Sequence, residues 1–157
     1  MAFSYQKDVQ KYNKEAIAGD RANNQEVIYT PTNLTVKSAA SAVAVQVGGF
    51  AWKDANDQVE GGGTGAPTGF VERVQNYQYY DMTDEGTLVV PQGAAVELAV
   101  KGDFFIAADA TTSAGATVYA NTSNGAATLT SGAGVADTGF KTWNATTSGG
   151  MAIITKR

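Results

Sequence analysis

The chain contains neither cysteine nor histidine. The missing thiols exclude disulfides, thiolate nucleophiles, iron–sulfur clusters and cysteine-held zinc. The missing imidazole removes the commonest general base and metal ligand, and the side chain that ordinarily titrates between about pH 5 and 8. Charge is also scarce, at 17% of residues against 43% hydrophobic, and the balance of −4 is acidic. A nucleic-acid partner is not expected, because phosphate contacts need a clustered basic surface. No window approaches the ~18 apolar residues of a membrane span, and MAFSYQKDVQKYNKEA at the start lacks the apolar run of a signal peptide. The expectation is a protein without a membrane partner, made and used without export by that route.

What remains is ample for one folded domain. A chain of 157 residues buries roughly 70% of the surface that it exposes when unfolded, and the 18 glycines imply many turns. From Glu26 onward the apolar period is two, as in Val43, Val45 and Val47, and β-compatible runs recur about every ten residues between turn formers. The reading is an all-β fold: an antiparallel β-sandwich or barrel, with a jelly roll as one form, and an extended N-terminal arm. We expect the arm over residues 1–24 and a single β-domain over 25–157, with a glycine-rich loop around 54–69 in place of any regular element. Within the arm, Val9, Tyr12, Ala16 and Ile17 have near-helical spacing that Gly19 would stop. Turns are expected at Gly102 and at Asn124-Gly125, the second a type I′ hairpin centre.

No motif for chemistry survives its context. GGGTGA at Gly61 to Ala66 has the outline of a dinucleotide fingerprint, but DANDQVE stands where a hydrophobic strand is needed and Pro67 follows. Asp81, Asp84 and Glu85 could pair as glycosidase carboxylates or offer oxygens to calcium, yet acids at strand ends are more simply turn residues. The expectation is no enzyme, no cofactor and no metal. Binding candidates are aromatic: Phe3, Tyr5 and Tyr12 in the arm, and Tyr77, Tyr79 and Tyr80, which a strand would split between its two faces. Charge is uneven too, because Asp54, Asp57, Glu60, Glu72, Asp81, Asp84, Glu85 and Glu97 share their stretch with the single base Arg73. Such a stretch could meet a basic partner.

Six pieces in collinear order carry a resemblance: GGFAWKD (Gly48 to Asp54), GFVERVQ (Gly69 to Gln75), LVVPQGAAVEL (Leu88 to Leu98), KGDFFIAAD (Lys101 to Asp109), GATVYANTSNGAAT (Gly115 to Thr128) and TGFKTW (Thr138 to Trp143). Together they resemble the structural cement, or decoration, proteins of tailed-phage heads. The resemblance implies a small β-rich protein that sits outside the capsid of the virion, bridges neighbouring major capsid proteins and braces the head against packaged DNA. It implies a homo-dimer or trimer on the capsid, made in the bacterial host cytoplasm. Members of that family often carry histidine beside the arginine of the GFVxR piece, where this chain has Glu72. If that arginine makes a contact, Arg73 inherits it. The alternative reading is a carbohydrate-binding head decoration or adhesion module, with Tyr77, Tyr79 or Trp143 as platforms.

Overall fold

The computed structural model describes residues 16–74 and 88–157. Among these residues the chain forms strands, turns and loops with no helix. The strands are β1 (Ile28–Tyr29), β2 (Leu34–Val36), β3 (Val45–Gln46), β4 (Phe50–Lys53), β5 (Gln58–Glu60), β6 (Gly69–Val71), β7 (Val89–Val90), β8 (Ala95–Val96), β9 (Leu98–Ala107), β10 (Thr117–Asn121), β11 (Ala127–Thr128), β12 (Val135–Thr142) and β13 (Met151–Lys156). One hydrogen-bonded path runs β11-β10-β12-β13-β9-β6-β4-β5-β2-β8, with β1 attached to β9, while β3 and β7 pair separately. The path has two free ends, so the described strands do not close into a barrel. Pairing is antiparallel except between β2 and β5, which run parallel, making the sheet mixed.

Strands β4, β6 and the start of β9 are apolar on both faces because they separate two clusters of buried side chains. Phe50, Trp52, Phe70 and Ala99 face one cluster, together with Phe104, Ile106, Val118, Phe140 and Ile154. Ala51, Val71 and Leu98 face the other, with Leu34, Val45, Val59, Val90 and Val96. The continuous apolar runs GFAW, GFV and LAV therefore mark doubly covered strands, whereas one-sided strands alternate. In β12, Thr138, Phe140 and Thr142 are buried while Asp137, Gly139 and Lys141 are exposed. Four phenylalanines form the centre of the first cluster: Phe70 stacks on Phe104 at 4.7 Å between centroids, and Phe50 meets Phe70 and Phe140 edge-on at 5.3 and 5.7 Å. Fully burying each such ring contributes roughly 1.5–3 kcal/mol.

Three local expectations are corrected. The glycine-rich stretch holds a regular element, β5, because fully buried Val59 brings its neighbours alongside β2 and β4. Gly102 makes no turn: β9 runs through it, paired with β6 before and β13 after. Its φ of 145° takes up a bulge that a side chain would resist, and an added Cβ would lie 2.8 Å from the Phe104 ring. The Asn124-Gly125 hairpin is not type I′, because among the described non-glycine residues only Asp57 has positive φ. Residues 122–125 instead form a four-residue loop in which Asn121 Oδ1 accepts from the Ser123 amide at 2.9 Å and only Gly125 is left-handed, at φ 72°. Its tip is structural, since the Phe50 amide donates to the Gly125 carbonyl at 2.8 Å and the Gly63 amide to that of Thr122 at 2.9 Å. The hairpin is thereby tied to the central strand and to the glycine-rich stretch.

Candidate functional site

Residues 16–22 are attached to the body beside β6 and β9. The Asp20 side chain orders the turn, its Oδ2 accepting from the Ile17 amide at 3.0 Å. The Gly19 amide donates to the Phe105 carbonyl at 2.8 Å, the Phe105 amide to the Asp20 carbonyl at 2.9 Å, and the Ala22 amide to the Asp103 carbonyl at 2.9 Å. The Arg73 amide then donates to the Gly19 carbonyl at 2.9 Å. Part of the leading 24 residues is therefore an edge segment of the sheet. Ala16 and Ile17 lead into a turn at Ala18-Gly19 and form no helix; Val9 and Tyr12 lie outside the described residues.

Two side-chain clusters brace this junction. Arg73 Nη1 lies 3.0 Å from Asp20 Oδ1, both side chains about a third exposed. Beside it, Glu72 is only 5% exposed, and its carboxylate accepts from Arg21 Nε and from the Tyr29 hydroxyl. Arg21 Nη2 also donates to the Tyr29 oxygen at 2.5 Å. Burial, followed by the hydrogen bond to Glu72 and its charge, pushes the Tyr29 phenol up to about 12. The hydrogen bond to Glu72 likewise holds Arg21 above its ordinary value. Glu72 is thus the acceptor that binds the leading segment and β1 to the residues that follow β6.

Of the residues expected to contact the capsid or another copy, Arg73 is among the described residues, and its ion pair is internal; Trp143, the expected sugar platform, is described as well. Phe3, Tyr5, Tyr12, Tyr77, Tyr79 and Tyr80 lie outside the described residues. The two stretches that carry those residues nevertheless join the body in one neighbourhood: Gly19 meets Arg73, and the Val47 amide donates to the Leu88 carbonyl at 2.6 Å. Ile17, Leu88 and Val89, three of the five large apolar residues left exposed among those described, stand there.

Three of the five described acids of the stretch are answered by bases outside it in sequence. Arg21 meets Glu72, Lys37 meets Glu60 at 3.2 Å and Lys53 meets Asp57 at 2.8 Å. Asp54 closes a turn instead, because its carboxylate accepts from the Gln58 and Asn56 amides, which hold its pKa below the usual range. Among the described residues no group of three or more acids is placed to hold a metal ion. No helix there is long and apolar enough to cross a membrane.

A further cluster lies where the end of β13 meets the middle of β9. Asp103, 5% exposed, accepts from Asn23 Nδ2 at 2.7 Å and from Arg157 Nη2 at 3.0 Å. Burial opposes the charge on Asp103, but the neighbouring Thr155 hydroxyl, the hydrogen bond from Asn23 and the Arg157 charge outweigh it, so its pKa falls below the ordinary value. The Arg157 guanidinium also sits over the indole of Trp143, 5.9 Å from the ring centroid. Sequence reasoning named Trp143 only as a sugar platform and missed Asp20, Arg21, Tyr29 and Asp103. Their partners lie about 50 or more positions away, or 43 for Tyr29 with Glu72, and no short motif marks such pairs.

The described residues form a β-domain with two apolar clusters, and five of its bases pair with carboxylates of the same chain. The comparisons specify the class. The chain matches the model of the structural cement protein family, described by E217 gp24 and Pam3 gp6, over residues 5–156, and it belongs to that family of phage proteins. Its fold is similar to that of a chain in the capsid of Myoviridae phage XM1, with a TM-score of 0.64 at 18% identity, covering 98% of this chain and 97% of that one. No curated protein matches.

Proposed function

We propose that the protein is a non-enzymatic cement that binds the outside of a phage head, bridges neighbouring major capsid proteins and stabilises the shell against the pressure of packaged DNA. The family match over residues 5–156 carries this reading. The fold supports it, because a clamp under load needs area and rigidity instead of reactive groups. Clusters on both faces of β4 and β6 provide that rigidity.

In this reading the stretch before residue 16 is an arm that lies across a neighbouring subunit, anchored by Phe3, Tyr5 and Tyr12. Tyr77, Tyr79 and Tyr80 make a second contact with the shell or with another copy in a dimer or trimer. Support comes from the shared root of the two stretches, where Ile17, Leu88 and Val89 extend the apolar surface. Arg73 serves this contact indirectly, by fixing the root through Asp20. Co-sedimentation with expanded, undecorated shells tests the proposal. Saturable binding at a fixed ratio to the major capsid protein is expected, and failure to bind well-formed shells rejects it.

A further inference from the structure

We infer that the outer face of β9, β12 and β13 is a docking surface for a carboxylate-bearing patch of the capsid shell. The inference rests on the cement reading and names a contact in addition to the arm and tyrosines.

The first argument is unspent positive charge. Of the eight described bases, Arg21, Lys37, Lys53, Arg73 and Arg157 each pair with a carboxylate. Lys101, Lys141 and Lys156 pair with no described carboxylate; Lys141 lies on this face and Lys101 lines a depression that borders it, whereas Lys156, next to Thr155 on β13, turns to the Phe140 side and meets the face only at that depression. Lys141 stands opposite Thr155, which stands opposite Asp103, in a row across the three strands. Lys101, Lys156 and Arg157 together line a depression of about 220 Å³. Lys156 leans over the Phe140 ring at 5.5 Å and donates to the Thr138 carbonyl at 3.1 Å, which leaves its charge without a counter-ion. The acids nearby are Glu26 in the same depression, Asp103, already engaged by Arg157, and Asp137, farther along β12. In a chain of net charge −4, this concentration of uncompensated lysines favours an acidic partner.

The second argument is independent of charge. Trp143, at 64%, and Ile28, at 46%, are the two most exposed large apolar residues among those described; Trp143 belongs to this face and Ile28 lines the depression beside it. Trp143 and Arg157 line a second depression that shares Gln25, Asp103 and Arg157 with the first. Asp103 holds Arg157, and Arg157 covers one side of the indole, so the tryptophan is braced before any partner arrives. Tryptophan and arginine are the residue types that most often dominate binding energy at protein interfaces. A preorganised aromatic centre ringed by lysines fits an acidic protein surface with an apolar pocket.

The test compares wild type, K101E/K141E, W143A and the control K37E/K53E for binding to undecorated shells over a range of salt. Melting temperatures confirm that each variant folds. K101E/K141E is expected to bind about tenfold or more weaker at low salt with a flatter salt dependence, because rim charges act through screened attraction. W143A is expected to lose about tenfold or more at every salt concentration, as an interface anchor does. The control, with the same change of charge elsewhere, should bind as wild type does. Equal binding and equal salt dependence for all four proteins would overturn the inference while leaving the cement reading intact. So would loss of self-association in W143A with unchanged shell binding, which assigns the face to contacts between copies, or displacement of the wild type by an acidic oligosaccharide. Failure of the wild type itself to bind rejects the cement reading, and this inference with it.

Discussion

Replacing Glu72 by alanine should loosen the leading segment without disturbing either core cluster. The Glu72 carboxylate accepts two close hydrogen bonds, from Arg21 and Tyr29, and such bonds to a charged group are each worth about 1.5–3 kcal/mol. Two terms reduce the gross loss. Arg21 and Tyr29 are partly exposed and regain water, and the desolvation of a buried carboxylate is relieved. The net destabilisation should be about 2–3 kcal/mol, which for a domain of this size lowers Tm by roughly 5–10 °C. Calorimetry on wild type, E72A, R21A and the double variant measures it, and the cycle should return a coupling of about 1–2 kcal/mol between neighbouring charged partners. Hydrogen exchange adds position: the Gly19 and Arg73 amides should lose protection while Phe104 and Ile154 keep theirs. If E72A melts within about 1 °C of wild type, the bonds behave as an exposed ion pair of little worth, and the bracing argument is wrong.

Three further outcomes follow from the geometry. G125A should cost about 3–5 kcal/mol, because a Cβ there would stand 2.2 Å from the Phe50 carbonyl oxygen and the left-handed backbone adds strain of order 1–3 kcal/mol; G132A, in open space, should melt close to wild type. Asp103 has a folded pKa below its unfolded value of about 3.9, so its contribution is present above about pH 4 and lost as pH falls through the folded value. In D103N the urea midpoint should accordingly be lower at pH 7 and fall less steeply below pH 4, and parallel curves would contradict this. Deleting residues 1–15 should weaken attachment to shells with little change in Tm, whereas deleting 1–24 should also lower Tm, because Gly19, Asp20 and Arg21 hold the sheet edge.

The strand framework was legible because its cause is local. Alternation in VYA and TGFKT reports a sheet with one buried face, and the six pieces that carry the resemblance fall on β4, β6, β7, β8, β9, β10, β11 and β12. Features set by distant partners were not legible. β5 has one apolar residue among turn formers, and it is a strand because β2 and β4 flank Val59. Gly102 has the composition of a turn but lies in a continuous strand, because Leu98 and Phe104 anchor it on either side. The acidic stretch suggested an open face for a basic partner, yet Arg21 and Lys37 reach into it from 51 and 23 positions away, and Lys53 from the residue just before it. The converse is the Trp143 face, where lysines far apart in sequence meet only when β9 and β13 pair.

The central claim is that this protein strengthens a phage head, and the temperature of genome release tests it most directly. Bare heads and heads saturated with the purified protein would be heated side by side while a DNA-binding dye reports release. The account predicts a higher release temperature for decorated heads, reduced again by W143A when that variant is supplied at the same concentration without saturating the heads. Saturated heads that release DNA at the same temperature as bare ones would contradict it.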